Sequence, residues 1–235
     1  MQNPVLLFAF AGMGAGAILY WFALRPRALN WGATRAESEA MMPGDDVIPE
    51  PHHVATRSVT IKAQIDDVWP WLAQMGYQRA GFYTYDWISR LRGTQTGPSA
   101  VRIIPKFQHL AVDDTVPMGS KSGWRVEDLH KNHFLLLHVR ESGREHTWAW
   151  VLSELDESHT RLVLRTRWRL TRPLLAPLFH VADFGCFLVT RKHLLGIKHR
   201  AEIAAWQTEE WLTPAPSKTG WLTSISFDRQ RRTTP

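Results

Sequence analysis

The nine residues "RAGFYTYDW", Arg79 to Trp87, set four aromatic rings around one carboxylate, Asp86, which stands between Tyr85 and Trp87. An apolar setting raises a carboxylate's pKa towards that of a general acid or base. Tyr83 and Tyr85 add hydroxyls able to hydrogen-bond a substrate carbonyl, so Asp86, Tyr83 and Tyr85 are the candidate catalytic residues. The same residues also fit a quieter role. Aspartate near a turn commonly bonds the local backbone, Arg79 can pair with Asp86 and hold it ionised, and a buried tyrosine hydroxyl is often spent on a carbonyl of the fold itself. Both readings stand at the level of sequence.

Other chemistries find less support. Of eleven histidines only His52 with His53 and His130 with His133 lie close together, and neither pair comes with further ligands at zinc-site spacing, so no metal is expected. There is no G-x-S-x-G elbow, and "GSKSG" (Gly119 to Gly123) lacks the glycine spacing of a phosphate loop. "GMGAGA" mimics a dinucleotide turn, but no second strand ending in an acidic residue follows it. No cofactor is expected. Cys186 is the single cysteine. It permits no intrachain disulfide, which fits a reducing compartment, and its place in a long apolar helix predicts a core residue rather than a nucleophile.

The twelve tryptophans are the excess in the composition. His146, Trp148 and Trp150 fall on one face of a strand, and Trp168 lies on the apolar face of the next. With Phe82, Tyr83, Tyr85 and Trp87 these tryptophans form the candidate ligand-binding set. Alternation alone cannot tell a cavity lining from a packed core.

The elements that must position these rings follow from periodicity. "VATRSVTIKA" (Val54 to Ala63) has strand composition, and "IDDVWPWLAQMG" is helical, with Pro70 expected in its first turn. Four strand-like segments follow, Gly123 to Leu129, His133 to Arg140, His146 to Leu155 and Thr160 to Leu170, joined by short polar links that predict antiparallel hairpins. In the last, Leu162, Leu164, Thr166, Trp168 and Leu170 alternate with Arg161, Arg165, Arg167 and Arg169, predicting one face inward and one wet. A long helix is expected from about Phe179 to Gln207.

Val5 to Leu24 is a charge-free run of 20 residues, about 30 Å as a helix at ~1.5 Å per residue. Its basic flank, Arg25 and Arg27, follows it, which predicts an uncleaved anchor with the rest of the chain in the cytoplasm. Gly12 and Gly16 could let two anchors pack weakly together. The net charge of +6 has two candidate seats, the arginine face of the last strand and "RQRR" (Arg229 to Arg232) in the tail. Next to a membrane these suit an anionic lipid surface better than nucleic acid, for which no recognition motif is present.

The order strand, helix, antiparallel meander, long C-terminal helix, together with "WGAT" (Trp31 to Thr34), "PGDD" (Pro43 to Asp46), "VWPWLAQMG", "RAGFYTYDW", "VPMG" (Val116 to Gly119) and "RKHLLGIKHRAE" (Arg191 to Glu202), resembles the SRPBCC superfamily of START-like proteins, especially its membrane-anchored bacterial subgroup of unassigned function. The resemblance implies an α+β helix-grip fold, a curved antiparallel sheet around a long C-terminal helix, here preceded by one transmembrane helix. It also implies an apolar cavity between sheet and helix that holds a hydrophobic small molecule or lipid. A polyketide cyclase or dehydratase type of enzyme using Asp86 with Tyr83 or Tyr85 is the alternative, and a non-catalytic scaffold with a filled core is a third. The expected organisation is an anchor with its basic flank at residues 1–28, a lead-in linker with a short helix at 29–53, the helix-grip domain at 54–211 and a flexible basic tail at 212–235.

Overall fold

The computed structural model describes residues 18–212 apart from 142, 173 and 175, with positions 12 and 14–16 ahead of them. Nine of the twenty residues of the expected anchor, 5–11, 13 and 17, and all of the tail beyond 212 lie outside the described residues. Among the described residues no helix is long and apolar enough to cross a membrane.

Six strands form one antiparallel sheet: β1 (His53–Ile61), β2 (Thr115–Pro117), β3 (Gly123–His130), β4 (Phe134–Glu141), β5 (Arg144–Asp156) and β6 (His159–Leu170), in the spatial order β1-β6-β5-β4-β3-β2. The meander from β3 to β6 is the one the short polar links predict, and β2 adds a short edge strand that was not expected. β1 closes it by pairing with β6, from His53 opposite Trp168 to Ile61 opposite Thr160. Register shifts at Val126/Asp128 and Glu154/Asp156 insert extra residues that bend the long strands.

Short helices α1 (Arg25–Leu29) and α2 (Arg35–Glu39) precede β1, α3 (Ile65–Ala73) and α4 (Asp86–Leu91) lie between β1 and β2, and α5 (Ala176–Leu212) follows β6. Pro70 falls inside α3 rather than in its first turn. The helix is only nine residues long, so the missing proline N–H removes one bond near its end and breaks no long ladder. This is the helix-grip arrangement: α+β, one antiparallel sheet and a long C-terminal helix across its inner face.

The core sits at one end of that inner face. Leu194, Ile197 and Ala201 of α5 are fully buried and share a helical stripe. They pack into a cluster with Trp71, Leu72 and Met75 after β1, and with Leu135, Leu137, Trp150, Leu162 and Leu164 from the sheet.

The arginine face of β6 is not wet, which corrects the expectation from alternation. Residues 31–50 fold back over it. Arg161 pairs with Glu37 at 2.6 Å, and Asp45 bridges Arg165 at 2.7 Å and Arg167 at 3.0 Å. Arg165 also donates to the carbonyls of Glu37, Ser38 and Ala40. A capping box starts α2: the Thr34 side chain accepts from Glu37 N, and the Glu37 carboxylate accepts from Thr34 N. The lead-in is therefore an integral strap, not an extended linker. "WGAT" and "PGDD" are its two fastenings: Gly32 lies at φ +74 where a Cβ would meet Ser58 O at 2.1 Å, and Gly44 lies at φ +85 against Leu136.

Candidate functional site

Where the apolar stripe of α5 gives out, the helix and the sheet separate. Asp183, Cys186, Thr190 and His193, at spacings of three, four and three, turn one polar-edged helical face to the inner side of the sheet. Between them lies a cavity of about 470 Å³, open to the outside. Its sheet wall is His53 and Arg57 of β1, His146 and Trp148 of β5, and Thr166 and Trp168 of β6; Phe82, Tyr85 and, from α4, Ile88 and Ser89 close one side.

The candidate rings separate into three groups. Phe82, Tyr85, Trp148 and Trp168 line the cavity. Trp150 is fully buried in the core, and Trp87 is 62% exposed on the outside of α4. Tyr83 is buried with its hydroxyl donating to Trp71 O at 3.0 Å and accepting from Gln74 Nε2 at 3.1 Å. Burial drives its pKa upwards, so the phenol stays protonated. Tyr83 also sits at φ +55, an uncommon backbone state for a non-glycine residue.

Asp86 takes the quieter role. At the first turn of α4 its carboxylate accepts from Ser99 N at 3.1 Å, Ser99 Oγ at 2.7 Å and Gln95 Nε2 at 3.2 Å. It thereby ties down the 94–99 loop and does not line the cavity. Arg79 does not pair with it. The Arg79 guanidinium donates instead to Ala73 O at 2.7 Å and Phe107 O at 3.1 Å.

Of the cavity's polar groups the sequence pointed to His53, His146 and Cys186 without assigning them to a site, and did not single out Arg57, Asp183 or His193. His53 stacks on Trp168 with ring centroids 4.9 Å apart, and its Nδ1 lies 3.2 Å from Asp183, which also binds Arg25 at 2.9 Å. His193 is 3% exposed and lies edge-on to Phe82, Tyr83, Trp148 and Trp150. His146 lies edge-on to Trp124 and Trp148. Nε2 of His146 and of His193 is buried and has no hydrogen-bond partner among the described residues. Burial, aided by Arg144 and His53, pushes His146 down to about 3, and burial aided by Arg200 pushes His193 down to about 3. Both imidazoles are neutral at physiological pH. Cys186, expected in the core, is an exposed residue bordering the cavity, and burial of its sulfur pushes the thiol up, away from the reactive thiolate. Among the described residues no group of three or more His, Cys, Asp or Glu side chains is placed to hold a metal ion.

No family model and no curated protein matches the chain. Solved structures do. A START superfamily protein from Mycobacterium smegmatis is similar at 10% identity and a TM-score of 0.39, over 66% of this chain and 99% of that one. A polyketide-cyclase-like protein from Corynebacterium glutamicum is similar at 13% identity and 0.37, over 66% and 94%. A conserved protein from Geobacillus kaustophilus is similar at 13% identity and 0.38, over 63% and 95%. At such values the likeness says nothing of activity. The helix-grip fold stands on the chain's own strand order and on the long helix that crosses the sheet.

Proposed function

We propose that this protein is a membrane-anchored binder of a hydrophobic small molecule or lipid. The observation that carries the reading is the 470 Å³ cavity between α5 and the sheet, walled by Trp148, Trp168, Phe82, Tyr85 and Met118 and bordered by two neutral imidazoles. Removing apolar area from water against such rings contributes roughly 25 cal/mol per Å², which favours bulk over any particular polar pattern. The cyclase alternative loses its acid and one of its two hydroxyl donors, since Asp86 and Tyr83 are both committed to holding the fold, and keeps only Tyr85 at the cavity. The filled-core scaffold is disfavoured by the cavity itself.

The membrane part of the reading is supported by the charge-free run before Arg25 and by the exposed apolar side chains that lead up to it. Ile18, Leu19 and Phe22 are each more than half exposed. Arg25 is fixed to Asp183 at the cavity wall, so the end of the anchor and the cavity are neighbours. A ligand drawn from the bilayer would have a short path. Native mass spectrometry of the detergent-extracted full chain tests the proposal: a co-purifying apolar molecule supports it, and a uniformly empty protein that takes up no added lipid opposes it.

A further inference from the structure

β1 places His53, Ala55, Arg57, Val59 and Ile61 on the inner face of the sheet, so an arginine stands in the middle of an otherwise largely apolar stripe. Arg57 is 3% exposed and lines the cavity. Its Nε donates to Ala28 O at 2.8 Å, and its guanidinium carbon lies 5.7 Å from the Phe187 ring centroid. Among the described residues no carboxylate forms an ion pair with Arg57 and nothing accepts from its two terminal nitrogens.

A buried guanidinium without a counter-charge is costly, and its fork of donors matches a carboxylate or phosphate. The nearest acid, Asp183, is already shared by Arg25 and His53. Around this wall two guanidinium groups, Arg25 and Arg57, face one carboxylate, and Arg92 adds a further cation to the lining. We infer that the cavity takes an amphiphile with an anionic oxyacid head, its head on Arg57 and its apolar tail against Trp148, Trp168 and Phe82. The inference rests on the proposed apolar-ligand reading and gives that site its ligand class. Burial pushes Arg57 down only to about 10, against the opposing effects of Cys186 and Asp183, so it remains charged at neutral pH. A fatty-acid carboxylate and a lipid phosphate share the head chemistry, and the probes below separate them.

The test uses the full chain held in an amphipol and titrated calorimetrically with dodecanoic acid, dodecanol and dodecyl phosphate. Charge-assisted hydrogen bonds to a buried arginine should favour an anionic head over the alcohol by roughly tenfold or more. Whichever of acid and phosphate binds tighter names the source of the head. Arg57→Met should erase the preference while leaving the alcohol's affinity within about twofold, and Arg57→Lys should keep part of it. Should Arg57→Met fail to fold, the comparison of the three probes on the wild type still decides. Equal binding of alcohol and acid by the wild type overturns the role of Arg57 and leaves the apolar cavity standing. Binding of none of the three overturns both.

Discussion

Gly196 of α5 lies against the backbone of Tyr83 so closely that a Cβ on it would meet Tyr83 O at 2.1 Å. That contact is where the long helix docks on "RAGFYTYDW". It explains why the aromatic stretch is partly core: Tyr83 is the fulcrum under the helix, and its neighbours Phe82 and Tyr85 are left to face the cavity that opens beyond it. Gly196→Ala should force helix and loop apart and destabilise the fold by about 1–3 kcal/mol, seen as a lower thermal midpoint. An unchanged melt would show that α5 does not dock here.

The two neutral imidazoles predict a pH dependence. His146 and His193 have folded-state pKa values of about 3, below the ordinary histidine value. The unfolded chain therefore binds protons that the folded one refuses, and stability is full above about pH 6.5 and falls as pH drops towards 3. Between about pH 6.5 and 4.5 each imidazole should cost ~1.4 kcal/mol per pH unit. Chemical denaturation across this range should show the slope, and replacing both by glutamine should flatten it.

The strap over β6 should be worth more than surface charge. Asp45→Ala leaves Arg165, which is 3% exposed, without its carboxylate, and should cost about 3 kcal/mol. Removing the exposed Arg35–Glu39 pair by Arg35→Ala should change stability by less than about 0.5 kcal/mol. Urea melts of the two variants compare them directly.

Asp86→Asn should leave probe affinity unchanged, because the carboxylate orients Ser99 and Gln95 and does not line the cavity. Its effect should be local: faster proteolytic cleavage within residues 94–99, read by limited digestion. Loss of a catalysed turnover with intact folding would instead restore the enzyme reading.

Much of the fold was legible because its signals are local. The alternation in Thr160 to Leu170 marked β6, and the short polar links marked the hairpins. The strap was not legible, since Asp45 and Arg165 meet across 120 positions and alternation shows only that the arginines share a face, not what covers it. The site was half legible. The sequence gathered the aromatic residues, but sorting Trp148 and Trp168 into the cavity and Trp150 into the core depends on where α5 lifts from the sheet. Arg57 and His193 did carry a signal: one is a charge on the apolar register of β1, and the other continues the Asp183, Cys186, Thr190 spacing.

The most direct test of the central claim fills the cavity. Val189 borders it from α5, and Val189→Trp should occupy much of its volume without disturbing the Leu194, Ile197, Ala201 stripe. Titration of the full chain with the neutral fluorescent probe 1-aminoanthracene should give saturable one-to-one binding, weakened at least tenfold in Val189→Trp while the thermal midpoint holds or rises. No saturable binding by the folded wild type, or equal binding by the filled variant, would contradict the account.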